Sequence, residues 1–164
     1  MINFYEDPEK AKRLKHASEK VLPGISFVFK DKKIIFAEGN KTEVYLLDPE
    51  VYSVFNKTKS RRMPYSLGLY FGDWGKEVRF SFNILNEYSK NSDDHKAIIN
   101  PGAEQKFLFG RNLSIKKLWK YDKKVKEGDF VVVATKNNEA LGYGKAELDF
   151  ANLGKLDPST RAIK

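Results

Sequence analysis

The chain has 164 residues and no cysteine, which excludes a disulfide framework and a thiolate metal site and favours an intracellular compartment. Two histidines, His16 and His95, are too few for a histidine metal centre, and no apolar run approaches the ~20 residues that a membrane span needs. The net charge of +8 is uneven: residues 95–164 carry 14 Lys and Arg against 8 Asp and Glu, residues 1–94 carry 16 against 14, and the imbalance favours a polyanionic partner over a small neutral substrate.

Met1 to Asp7 lack the basic-then-apolar layout of a signal peptide, so a soluble, cytoplasmic protein is expected. Asp7-Pro8-Glu9 is a helix start, with Asp7 as cap, Pro8 in the first turn and Glu9 at the positive end of the dipole. The spacing predicts a helix to Leu22, stopped by Pro23-Gly24. Its Lys10, Lys12, Arg13, Lys15 and Lys20 fit an RNA-facing surface or a solvated face, the second preferred, and His16 among them is a surface residue. Residues 26–30 and 33–36 are β-rich runs across an Asp31-Lys32 hairpin, and residues 43–47 form a third strand. Asp48-Pro49-Glu50 repeats the helix start and predicts a helix to Phe55 that carries Val51, Val54 and Phe55 inward. Lys57, Lys59, Arg61 and Arg62 then form a basic link, a loop in preference to a second phosphate contact.

From Tyr65 to Phe71 the chain is expected to be extended, with a turn at Gly72-Asp73-Trp74-Gly75. Val78, Phe80 and Phe82 alternate on one face of a strand, and residues 84–88 are helical. The polar stretch 86–94 places a domain boundary at 94/95, with His95 a linker surface residue. Residues 96–100 are a short strand leading into a helix capped by Asn100, opened by Pro101 and ended by Gly110. Phe107 and Leu108 share its buried side with Ala103 and Glu104, while Lys106 and Arg111 flank its exit. Leu113 and Ile115 then point inward from a strand, with Lys116, Lys117 and Lys120 outward. Residues 130–134 and 140–146 form a hairpin about Asn137-Asn138, and its run of valines implies a strand buried on both sides, as in a closed barrel. Gly142 and Gly144 share one face, where another backbone can approach closely.

No phosphate-cradling glycine loop with its lysine and no nucleophile elbow is present, and the carboxylates sit in caps, turns or surface positions, so an enzyme is not expected. What remains is a basic β domain. Lys106, Arg111, Lys116, Lys117, Lys120 and Lys145 supply charge for phosphates; Trp119, Tyr121 and Tyr143 either stack on bases or pack, packing preferred for Trp119 and Tyr121; Phe107, Phe109 and Phe130 are core.

Pro101-Gly102-Ala103-Glu104-Gln105 followed by Phe107-Leu108-Phe109-Gly110 resembles the signature helix of the ribosome-biogenesis family called "nuclear import protein seven". Pro64-Tyr65-Ser66-Leu67-Gly68 through Phe71-Gly72 to Phe80 and Ile84-Leu85 upstream, and Ala140 to Gly144 before Asp157-Pro158 downstream, agree with it; the short, cysteine-free, lysine-rich chain looks closest to the archaeal branch. The resemblance implies an α+β protein: an N-terminal α/β domain, residues 1–94, with a mainly antiparallel sheet and flanking helices, and a C-terminal PUA-type β pseudo-barrel, residues 95–164. It implies a non-catalytic RNA-binding factor in large ribosomal subunit biogenesis and pre-rRNA processing. It also implies ribosome-assembly or exosome proteins on the N-terminal domain, no cofactor, no membrane, and a monomer. By resemblance the RNA site comprises Lys106 and Arg111 with Arg161 and Lys164 of the last segment. Relatives continue past the position of Lys164 through an acidic-glycine-aromatic tail, so the last strand is expected to be short or frayed. The alternatives are a protein–protein adaptor that no longer binds RNA, and the targeting subunit of an RNA-modifying enzyme.

Overall fold

The structure, a computed structural model, describes residues 3–58 and 67–164; Lys59, Arg61 and Arg62 of the basic link and Pro64 to Ser66 lie outside the described residues. Packing divides the chain into two compact units, Met1–Lys20 with Ile25–Ile84, and Val21–Gly24 with Leu85–Lys164.

In the first unit five antiparallel strands pair in chain order: β1 (Asn3–Tyr5), β2 (Lys33–Glu38), β3 (Thr42–Leu47), β4 (Leu69–Trp74) and β5 (Val78–Phe80). The helix α1 (Pro8–Val21) begins where the sequence indicates, and Asp7 Oδ1 accepts the amide of Lys10 at 2.9 Å, which satisfies an orphan donor of the first turn. Residues 26–30 are not a strand. Ile25–Phe29 is a 3₁₀ turn in which Ile25, Val28 and Phe29 are buried, a helical three-and-four spacing that the β-prone composition disguises. The helix α2 (Pro49–Thr58) follows its Asp-Pro start, but only Phe55 turns inward, against Ile35 and Leu47, while Val51 and Val54 are exposed. Gly72 to Trp74 belong to β4 and the turn comes later, at 75–77. Gly72 has φ +145, and a Cβ there would lie 1.9 Å from the Arg79 carbonyl oxygen on β5, so only glycine fits. Phe82 does not continue the β5 alternation. It opens α3 (Phe82–Asn91) and is exposed.

The second unit begins within α3, so its last seven residues pack with the C-terminal part although a division at 94/95 would leave them with the first. The Tyr88 hydroxyl lies between the Asp94 and Pro23 carbonyls at 2.8 and 2.7 Å, and Asn86 Oδ1 accepts the amide of Ala140 at 3.2 Å. The sheet is ordered β10 (Ala140–Lys145), β9 (Phe130–Ala134), β6 (Lys96–Ile99), β8 (Leu118–Tyr121), with β6 and β9 parallel and the other pairs antiparallel. A separate antiparallel pair joins β11 (Arg161–Ile163) to β7 (Leu113–Ser114), and an Ala146–Ile163 bridge ties β11 to the end of β10. Backbone pairing therefore runs from β8 to β7 through six strands, the pseudo-barrel expected of this half. Val131 and Val133 point into a core with Ala97, Ile99, Leu113 and Phe150, and Val132 on the opposite face is equally buried.

His95 is not a surface residue of a linker. It has φ +47, its ring is mostly buried with Nδ1 3.1 Å from the Phe130 carbonyl, and its amide donates to Asp122 Oδ2 at 3.0 Å.

Candidate nucleic-acid interface

The candidate interface is organised by α4 (Pro101–Leu108). Asn100 does not cap it with its side chain, which donates instead to the Lys116 carbonyl at 3.3 Å; its own carbonyl accepts the amide of Ala103 at 2.8 Å. Ala103 and Phe107, one turn apart, face the barrel. The Phe107 ring lies over Gly142, where a Cβ would come within 3.3 Å of it; at this glycine a side chain, not a backbone, makes the close approach. At the exit, the amides of Phe109, Gly110 and Arg111 donate to the carbonyls of Gln105, Phe107 and Lys106 at 3.1, 2.8 and 3.1 Å, with Gly110 at φ +74. This left-handed cap fixes the backbone of Arg111 beside that of Lys106.

Gly144 shows the expected backbone approach. A Cβ there would meet the Lys164 carbonyl at 2.6 Å and Ile163 Cγ2 at 2.5 Å. Lys145 and Lys164 exchange two backbone hydrogen bonds, 2.9 and 3.0 Å, so the end of the described chain is held rather than frayed. Residues paired this way have Cα atoms ~5.5 Å apart and side chains on one face. Two lysines thus leave the same face from directly opposed positions, an arrangement of like charges that is unfavourable unless an anion joins them.

The eight candidate cations separate into two groups. Lys106, Arg111, Lys145 and Lys164 are exposed and have no carboxylate partner among the described residues; Lys117, half-buried, has none either. Lys120 pairs with Asp93 at 3.1 Å, and Arg161 Nη2 with Glu147 Oε2 at 2.7 Å. Lys116 faces Asp157, whose carboxyl is held below the usual range mainly by hydrogen bonds from Ser159 and to a lesser degree by that lysine. Arg161 stands opposite Ser114 of β7, and Arg111 lies two residues before that strand begins. Lys120 lies in a separate open cleft of about 250 Å³, lined by Asp93, Asp94 and Asp122 together with Lys96, Lys123 and Lys124.

Among the aromatics, Tyr121 packs edge-on against Phe150 at 5.6 Å, as the packing reading holds. Tyr143 is half exposed and stacks on Phe130 at 4.6 Å; Trp119 is also half exposed, with Lys136 Nζ 4.9 Å from its ring centre. Phe109 is not core: it is 77% exposed, and Leu108 beside it is 62% exposed. Helical phase carries the missed signal, since six steps of 100° from Ala103 put Phe109 about 120° off the buried stripe.

Residues 95–164 match the family described as UPF0113 PUA domain. The chain is similar to the 60S ribosome subunit biogenesis protein NIP7 homolog of Xenopus tropicalis, 31% identical over 94 residues that cover 57% of this chain and 52% of that protein. The Sus scrofa homolog is 32% identical over the same coverage, and that of Dictyostelium discoideum 26% identical over 132 residues, 75% of this chain and 69% of that one. The chain thus spans about half the length of the first of these curated relatives, matching 52% of it. These relatives are named for subunit biogenesis and not for a reaction. A hypothetical protein from Pyrococcus horikoshii OT3 and a conserved PUA domain protein from Thermoplasma acidophilum each superimpose with TM-score 0.68 at 17% identity. They cover all of this chain and 92% and 91% of those chains, a likeness of fold.

Proposed function

Starting from a chain that is NIP7-like and carries a PUA domain at residues 95–164, we propose that it is an RNA-binding factor of ribosome biogenesis. It holds pre-ribosomal RNA on the C-terminal domain, docks assembly proteins through residues 1–94, works as a cytoplasmic monomer, and performs no chemistry of its own. The observation that carries this reading is the set of unneutralised cations at the exit of α4 and on the Lys145–Lys164 pair, in a domain where Lys96, Lys120, Lys124 and Arg161 rest on carboxylates. Cations facing water with no carboxylate nearby are what a phosphate backbone requires, because its binding energy comes largely from counterion release. Lys106, Arg111, Lys145 and Lys164 are the primary phosphate ligands. Lys116, Lys117, Lys120 and Arg161 are secondary, and Lys120 and Arg161 must share their charge with Asp93 and Glu147.

Filter binding of single-stranded RNA across a salt series tests it. Replacing Arg111, Lys145 and Lys164 together with alanine should flatten the slope of log affinity against log salt by about 2, at roughly 0.7 for each phosphate no longer neutralised. Replacing Lys120 and Arg161 should change it by less. An unaltered slope in the triple variant would remove the site, and salt-independent binding by the parent chain would remove the function.

A further inference from the structure

Phe109 is the most exposed large apolar side chain among the described residues, and it follows another exposed one, Leu108. Neither is a loose chain end, because the three backbone hydrogen bonds of the α4 cap and the left-handed Gly110 fix the segment. Lys106 precedes Phe109 by three residues, so the two share one helix face, and Arg111 follows immediately after the glycine. An exposed aromatic ring on a fixed backbone is thus flanked in sequence by two cations that have no carboxylate partner among the described residues. The charge selects the occupant. An acidic protein would satisfy Lys106 and Arg111 but gives no reason for one projecting ring between them, whereas an unpaired nucleotide presents a flat apolar base between two phosphates.

We propose that Phe109 is a stacking platform for one unpaired base, with the phosphates on either side of that base taken by Lys106 and Arg111. The inference rests on the RNA-binding reading and sharpens it, since a stacked base demands single-stranded RNA where phosphate contacts alone accept a duplex equally well. Tyr143 is a poorer platform because Phe130 already covers one of its faces.

The test uses the full chain and a short oligouridylate carrying one 2-aminopurine, whose fluorescence is quenched on stacking. Phe109→Ala should lower affinity for this probe about tenfold, abolish the quenching and leave the salt slope unchanged. Phe109→Trp should retain binding and quenching, which also separates a stacking loss from a folding defect. The proposal is overturned if Phe109→Ala binds and quenches like the parent, if it loses affinity equally for a fully paired duplex, or if it impairs only the capture of a protein. Each of those outcomes leaves salt-dependent RNA binding by the parent intact; absence of that binding would instead remove the functional reading itself.

Discussion

Lys96 carries an ammonium group into a position that is 5% exposed, where it donates to the Ser89 carbonyl at 2.8 Å, Asn138 Oδ1 at 3.0 Å and Asp93 Oδ1 at 2.8 Å. All three donors are used, and that makes the burial tolerable. Removing the charge should cost less than breaking a fully buried ion pair, because Asp93 is largely exposed and is not left stranded in a low dielectric. Lys96→Met is expected to lower stability by about 1–3 kcal/mol, the desolvation cost of the carbonyl and amide left unpaired, measurable by urea denaturation. Asp93 itself has its carboxyl held below the ordinary range, first by the hydrogen bond from Lys96 and then by that from Lys120. A depressed folded value means that this contribution is present in full above the unfolded pKa of ~3.9 and is lost as pH falls through the lower folded value. Asp93→Asn should therefore flatten the acid limb of a stability–pH profile below about pH 4 and change its slope little near neutrality.

Two glycines at the ends of elements do different work, and their alanine variants should separate it. Gly110 has φ +74 with open space where a Cβ would go, so Gly110→Ala should cost only the left-handed backbone penalty, about 1–2 kcal/mol. Gly144 has ordinary φ but no room; Gly144→Ala must displace Ile163 and the Lys164 carbonyl, which should cost about 1–3 kcal/mol and loosen the β10–β11 closure. Amide exchange at Lys145 and Lys164, whose N–H groups bond to each other's carbonyls, would accelerate in the second variant and not in the first. Local chemistry made much of this legible in advance: Asp7-Pro8, Asp48-Pro49 and Pro101 with Gly110 mark helix ends through the first-turn and cap geometry alone. The 3₁₀ turn at Ile25–Phe29 was hidden because Phe and Val favour strands while burial, a tertiary property, decided the outcome. The Lys145–Lys164 pair was illegible for a related reason, since it depends on strand register between segments distant in sequence. Phe109 is legible from helical phase, which here overrides the general tendency of phenylalanine to be buried.

Across the whole molecule, the distribution of free charge supports the proposed RNA surface more strongly than the total of +8 does. Both halves present lysines and arginines, yet several of those in the first unit are engaged locally. Lys10 Nζ donates to the Tyr5 hydroxyl at 2.7 Å, Arg13 lies 5.8 Å from the Trp74 ring centre, Lys15 lies 5.7 Å from that of Phe29, and Lys32 and Lys41 pair with Asp48 and Asp73. An open cleft in this unit, about 620 Å³, is lined by both signs, with Glu38, Asp73 and Glu77 beside Lys41, Lys76 and Arg79. A cation that already rests on a ring or a carboxylate gains little from a phosphate, because the new pairing exchanges one partner for another. Photo-crosslinking of the intact chain to 4-thiouridine RNA, read by peptide mass spectrometry, should therefore mark the peptides holding Phe109 and Tyr143 and leave the α1 peptides near background. Heavy labelling of α1 with none on α4 would move the RNA to the other half of the protein, and the reading of the C-terminal domain as the RNA-holding part would fall with it.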